Sequence, residues 1–153
     1  METLERILVE HPFFAGADRG CVQRFVGCAS NLKWEAGKVI FREGEPAEEV
    51  YLLRHGRVAV ERSRDGGPPQ TIESLDPGDV LGWSWLIPPF RWNCDARAVT
   101  LTRALALSGT CLREKSEQDP EFGYLLMKRM AEVMARRVEH ASLQWMDVYG
   151  KAP

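Results

Sequence analysis

The stretch Gly37-Lys38-Val39-Ile40-Phe41-Arg42-Glu43-Gly44-Glu45-Pro46 sets a short β-leaning run against a tight turn, and the same texture recurs downstream. Val50-Tyr51-Leu52-Leu53 runs into His55-Gly56, and Val58-Ala59-Val60 is followed by Asp65-Gly66-Gly67-Pro68-Pro69. Asp76-Pro77-Gly78-Asp79 then marks another turn, and runs from Ala96 to Thr102 and Arg103 to Ser108 close the series. Turn-formers at such intervals cut the chain into short strands, which predicts a barrel or sandwich. Gly44, Gly56, Gly78 and Gly82 fall where tight turns or close backbone approach favour glycine.

Outward from this block the periodicity changes. On the N-terminal side, Leu4, Ile7, Leu8 and Phe13-Phe14 predict a short helix ending in an aromatic anchor. Asp18 is an N-cap for a second short helix with Val22, Phe25 and Val26 on its inner face. On the C-terminal side, Asp119-Pro120 joins a capping carboxylate to a proline at the first helical position. Phe122, Leu126, Met130, Val133-Met134, Val138, Ala141 and Trp145 then recur as one long apolar stripe ending near Gly150. A helix of this length outruns a small barrel, so part of the stripe is expected to pair with a second copy.

The bulk numbers limit the function classes. With 20 Lys+Arg against 22 Asp+Glu, the chain lacks the basic excess of a large nucleic-acid footprint. No run approaches the roughly 20 apolar residues of a membrane helix, and the acidic N-terminus is unlike a secretion signal, so a cytoplasmic protein with no membrane contact is expected. Cys21, Cys28, Cys94 and Cys111 form no Cys-x-x-Cys pair and are read as reduced, partly buried thiols. His11, His55 and His140 fall in different elements, which gives no metal site. Cys94 beside Asp95 has no suitably placed histidine, so no catalytic residue is assigned and an enzyme is not expected.

The ordered fragments resemble the cyclic-nucleotide-binding domains of catabolite-activator-type regulators and kinase regulatory subunits. His11-Pro12-Phe13-Phe14 resembles the family's opening, and Gly37 to Pro46 its first strand and turn. Val50 to Val58 resembles the next hairpin, Leu75-Asp76-Pro77-Gly78-Asp79-Val80-Leu81-Gly82 the approach to the ligand, and Met134-Ala135-Arg136-Arg137-Val138 the long C-terminal helix. The resemblance implies an α+β fold: an antiparallel β-roll (a double-stranded β-helix, or cupin-like jelly roll) flanked by short N-terminal helices and a long C-terminal helix. One domain is expected over residues 1–153, with helices at about 3–28, the roll at about 31–108 and C-terminal helices at about 109–148. In catabolite-activator-type regulators a helix-turn-helix follows the long helix. Only Lys151-Ala152-Pro153 follows Gly150 here, so no direct DNA binding is expected.

The resemblance also places a ligand segment at Leu81, Gly82, Trp83, Ser84, Trp85, Arg91, Trp92, Asn93 and Cys94. In the family the cyclic phosphate rests on the N-terminal amides of a short helix, a Glu holds the ribose, and an Arg followed by Ser or Thr pairs with the phosphate. Aligned from Gly82 to Arg97-Ala98, the Glu becomes Trp83, the Arg becomes Trp92 and the hydroxyl residue becomes Asn93. A one-residue shift puts Arg91 at the phosphate and leaves Trp83 in the acid's place. Losing two charged hydrogen bonds weakens binding by about 3–6 kcal/mol, on the order of a hundredfold to ten-thousandfold. An indole at position 83 could also fill the sugar site. Weak or absent cyclic AMP or cyclic GMP binding is therefore expected, with no resident cofactor.

Three readings of the Trp-rich segment stay open at this point. The indoles stack on a planar or apolar effector while Arg91 or Arg97 catches an anion; they collapse into core; or they form a protein-docking patch. The leading function is a stand-alone, homodimeric regulatory module. The alternatives are a genuine cyclic-nucleotide sensor using Arg91 and backbone amides, and a ligand-free protein-interaction module.

Overall fold

The computed structural model describes residues 3–149. Helix α1 (Leu4–Glu10) is capped by Thr3, whose side chain accepts from the Arg6 amide. A 3-10 turn at Pro12–Phe14 leads to α2 (Arg19–Val26). Asp18 stands at the N-cap of α2 as the sequence suggests, although its carboxylate accepts no capping hydrogen bond.

Eight strands follow: β1 (Ala29–Trp34), β2 (Val39–Phe41), β3 (Glu49–His55), β4 (Val58–Arg62), β5 (Gln70–Leu75), β6 (Val80–Leu81), β7 (Asp95–Ala98) and β8 (Thr102–Ser108). They pair antiparallel in two four-stranded sheets, β1-β8-β3-β6 and β2-β7-β4-β5. The sequence expectation of one run from Ala96 to Thr102 is corrected. The chain turns at 99–101, where the Val99 amide bonds the Arg57 carbonyl, and it enters β8 in the other sheet.

The middle of the first sheet, β3 and most of β8, is buried on both faces, which accounts for the unbroken apolar run Val50-Tyr51-Leu52-Leu53 on β3. Tyr51, Leu53, Ala104 and Ala106 face the second sheet and meet Phe41, Val58, Val60 and Ala96. Val50, Leu52, Leu105 and Leu107 face the helices and meet Leu8, Phe14, Phe25, Leu112, Phe122 and Leu126.

After β8 come α3 (Gly109–Gln118) and α4 (Pro120–Tyr149). The Asp119 carboxylate accepts from the Phe122 amide at 3.3 Å, the cap expected of Asp119-Pro120. The single stripe read from the sequence divides in space. Phe122, Leu126, Met130 and Val133 are buried against the body, whereas Val138, Ala141 and Trp145 are exposed. The helix has by then run past the roll.

The expectation of four reduced thiols is also corrected. Cys28, just before β1, and Cys111, in the first turn of α3, form a disulfide with Cα atoms 5.7 Å apart. Packing α3 beside the end of α2 brings them within bridging range although 83 residues separate them. Cys21 and Cys94 are free thiols. Among the described residues no helix is long and apolar enough to cross a membrane.

Candidate ligand-binding site

Residues 82–94 leave β6 and return to β7 as a looped segment. It contains isolated turns, Leu86 N to Trp83 O (3.1 Å) and Phe90 N to Ile87 O (3.0 Å), in place of the short helix that the resemblance implies. No helical row of amides is therefore presented to an anion here.

The returning half is zipped onto the turn after β2. Gly44 N donates to Trp92 O (2.8 Å), Trp92 N to Glu45 O (2.9 Å) and Ala47 N to Phe90 O (2.8 Å). Along an extended chain neighbouring side chains point to opposite sides. This register turns Trp92 inward, 5% exposed, and Arg91 outward, where its guanidinium donates to the Gly44 carbonyl at 2.8 Å. A one-residue shift that would turn Arg91 inward is not the arrangement adopted.

Inside the roll the Trp92 ring lies flat on Phe41, with centroids 3.8 Å apart and planes 7° from parallel. Phe41 faces Tyr51, and Tyr51 meets Trp34 edge-on at 5.2 Å. This aromatic row fills the space between the sheets. Its outer end abuts Gly82, where a Cβ would sit 2.7 Å from the Trp92 ring. The sequence names Trp83 as an indole able to fill the sugar site; between the sheets it is Trp92 that fills the space, while Trp83 lines the cavity beside the segment. Trp83 is half-buried on the helix-side core, because the backbone bends at Gly82 (φ 101°) and carries it outward.

Trp85 is fully buried in the helix-side core. Its carbonyl accepts from the Arg113 guanidinium, while its Nε1 has no hydrogen-bond partner among the described residues. Arg113 also lies 4.4 Å over the Phe90 ring. Arg97 makes a two-pronged pair with Glu61 at 3.1 and 3.3 Å.

What remains beside the segment is a cavity of about 110 Å³. It brings together Leu81, Gly82, Trp83, Ser84, Asn93 and Cys94, whereas Trp85, Arg91 and Trp92 lie outside its lining. Small-molecule sites typically measure roughly 300–1,000 Å³. Burial pushes the Cys94 thiol up to about 11, against the opposing pull of Arg137 and Arg62.

The cavity is closed by residues that the sequence reading does not single out. Arg137 of α4 donates to the Val80 carbonyl and pairs with Glu73 at 3.5 Å, and Arg62 and Glu73 line the same space. Arg136-Arg137 is visible in the sequence as helix texture only. Nothing local tells that α4 crosses β5 at that point. Among the described residues no three His, Cys, Asp or Glu side chains gather as a metal site needs. A larger hollow of about 600 Å³, by Glu10, His11, Arg54 and Arg103, shares none of the segment's residues.

An antiparallel roll whose β6–β7 loop lies beside a long outgoing helix defines a fold class found in regulatory proteins. This chain belongs to the cyclic nucleotide-binding domain family, whose pattern matches residues 31–119. It is similar to a CRP-like cAMP-activated global transcriptional regulator of Mycobacterium tuberculosis, 24% identical over 97% of this chain and 66% of that protein. The chain thus spans about two thirds of that relative's length. In structure it is similar to a cyclic nucleotide-binding protein from Geobacter metallireducens, with a TM-score of 0.78 and 30% identity over 90% of this chain and 99% of that one. The fold also occurs in the regulatory subunit of a cAMP-independent protein kinase A from Trypanosoma brucei. There the TM-score is 0.64 with 24% identity, covering 82% of this chain and 50% of that one.

Proposed function

We propose that this protein is a non-enzymatic regulatory module of the cyclic-nucleotide-binding fold, forming one domain in which ordinary cyclic AMP and cyclic GMP bind weakly or not at all. The observation that carries this reading is Trp92. It stands where the family's phosphate-binding Arg aligns, and it stacks on Phe41 against Gly82 instead of presenting a charge. The residual 110 Å³ beside it is well below the usual size of a nucleotide-sized site. Trp85 and Trp92, being buried, support the collapsed reading of the segment over a docking patch.

Output from such a module runs through α4. Arg137 ties α4 to β5 and β6 at the mouth of the cavity, so an effector that changed this closure would shift the helix only by binding one arrangement better. The exposed stripe on α4 supports a homodimer as the second half of the device.

Calorimetry with cyclic AMP and cyclic GMP tests the reading. No saturable heat is expected at micromolar to low-millimolar nucleotide. Micromolar binding that disappears in Arg91→Ala would establish the sensor alternative and end this proposal.

A further inference from the structure

The ligand segment is connected to α4 through α3, and α3 is weakly anchored. Of its ten residues only Gly109 and Leu112 are buried. Its other ties include Arg113 to the Trp85 carbonyl and the Phe90 ring, Lys115 Nζ to the Arg24 carbonyl, the Gly109 amide to the Glu48 carbonyl at 2.8 Å, and Ser116 against Gly123 of α4. The covalent tie is Cys111 to Cys28, which fastens the first turn of α3 to the residue preceding β1. We propose that Cys28–Cys111 is a reversible thiol–disulfide exchange site whose oxidation state latches or releases α3.

The two sulfurs are placed unequally. Cys28 is 7% exposed and packed in the helix-side core, whereas Cys111 is half-buried and the more open of the pair. Cys111 also lies in the first turn of a ten-residue helix, with its amide bonded to the Ser108 hydroxyl at 3.3 Å. Such a position favours a thiolate. The latch closes when the Cys111 thiolate attacks a small disulfide R–S–S–R, forming a mixed disulfide and expelling RS⁻. The Cys28 thiolate then attacks the Cys111 sulfur and expels the second RS⁻. Two protein thiols are oxidised by two electrons and one R–S–S–R becomes two R–SH. Opening is the reverse: RS⁻ attacks the Cys111 sulfur and Cys28 leaves as thiolate; a second RS⁻ then attacks the R sulfur of the mixed disulfide, expelling the Cys111 thiolate and regenerating R–S–S–R.

The role assigned here is independent of whether a nucleotide binds. In the reduced protein α3 keeps buried Leu112, the polar ties of Gly109, Arg113 and Lys115, and its contact with α4 at Ser116, but loses its covalent tie, so its backbone opens more often while the sheets are unaffected.

The test uses the full chain equilibrated in glutathione buffers of stepped reduced-to-oxidised ratio. After quenching, the protein is alkylated under denaturing conditions and mapped by mass spectrometry, in parallel with hydrogen exchange of the native forms. Two alkylated cysteines (Cys21 and Cys94) are expected at the oxidised end and four at the reduced end, with smooth interconversion. Amides of α3 are expected to exchange at least about tenfold faster when reduced, with β3 and β8 unchanged. Cys111→Ser should match the reduced form; if it fails to fold, the chemically reduced wild-type chain supplies the same comparison. The proposal is overturned by four alkylated cysteines in oxidised glutathione, by a bond that resists excess glutathione in the native state, or by α3 exchange that ignores the redox state.

Discussion

Gly82 and Trp92 depend on each other at single-atom scale. Any Cβ at position 82 meets the indole at 2.7 Å and also sits at φ 101°. Gly82→Ala is therefore expected to cost about 1–3 kcal/mol by overpacking, with further strain from the backbone. Trp92→Ala should cost more, about 3–5 kcal/mol, because it empties one end of the aromatic row. Urea denaturation of both variants checks the order; a neutral Trp92→Ala would mean that the indole is not core filling.

His11 offers a second residue-scale test. Its Nδ1 accepts from the Phe13 amide at 3.1 Å and its Nε2 donates to the Leu53 carbonyl at 3.0 Å. Both partners are satisfied by neutral imidazole, and a second proton would face the Phe13 N–H. Burial holds its pKa below the ordinary 6.5, helped by Arg54 and opposed by the Leu53 bond and Asp79. As pH falls below about 6.5 the unfolded chain takes the proton first, so stability is complete above that value and declines toward the folded-state pKa. The slope reaches at most about 1.4 kcal/mol per pH unit. His11→Asn keeps an acceptor for the Phe13 amide and should flatten the loss between pH 7 and 5.5 in denaturation midpoints. An unchanged slope would remove His11 as its source.

At the scale of elements, what could be read in the sequence follows how locally each element is specified. The Asp119-Pro120 start of α4 was legible because cap and proline act within one turn. The runs of β3 and β4 were legible because they are apolar on both faces. Strand β5 was not, since Gln70 to Ser74 is an edge strand whose side chains stay largely exposed. The Cys28–Cys111 bond was illegible for a different reason: no spacing rule links residues 83 apart, and only the docking of α3 creates it. In the candidate site, the missing charges were legible by alignment. That Trp92 would point inward was not, because it depends on the pairing of 90–92 with the turn after β2. The contact between α3 and α4 gives an element-scale prediction. A Cβ at Gly123 would lie 3.1 Å from the Ser116 carbonyl oxygen, with Ser116 backbone and side chain both in the way. Gly123→Ala should force the helices apart and cost about 1–3 kcal/mol in urea unfolding, outweighing the gain in helix propensity. A stabilised variant would show that the junction yields freely.

The whole molecule leaves one surface unexplained by its own packing. Along α4 the face toward the body turns from Phe122, Leu126, Met130 and Val133 to Arg137, His140 and Gln144, as the roll falls away. A neighbouring face stays apolar throughout: Met127, Ala131, Met134, Val138, Ala141, Trp145 and Val148 follow alternating four- and three-residue steps. That spacing is the seam of paired helices. Val138, Trp145 and Val148 are 64%, 63% and 70% exposed in the single chain, so the body of the protein does not cover this apolar seam. Two copies with α4 side by side would bury it and set the helices where Arg137 meets each roll. Sedimentation should therefore show a dimer at micromolar concentration, and Val138→Arg should shift it to monomer by placing two like charges in the seam. Because residue 138 is exposed, the monomeric variant should keep its sheets and its folding cooperativity. A wild-type chain that sediments as a monomer at tens of micromolar would leave the stripe to some other partner and remove dimer geometry from the mechanism.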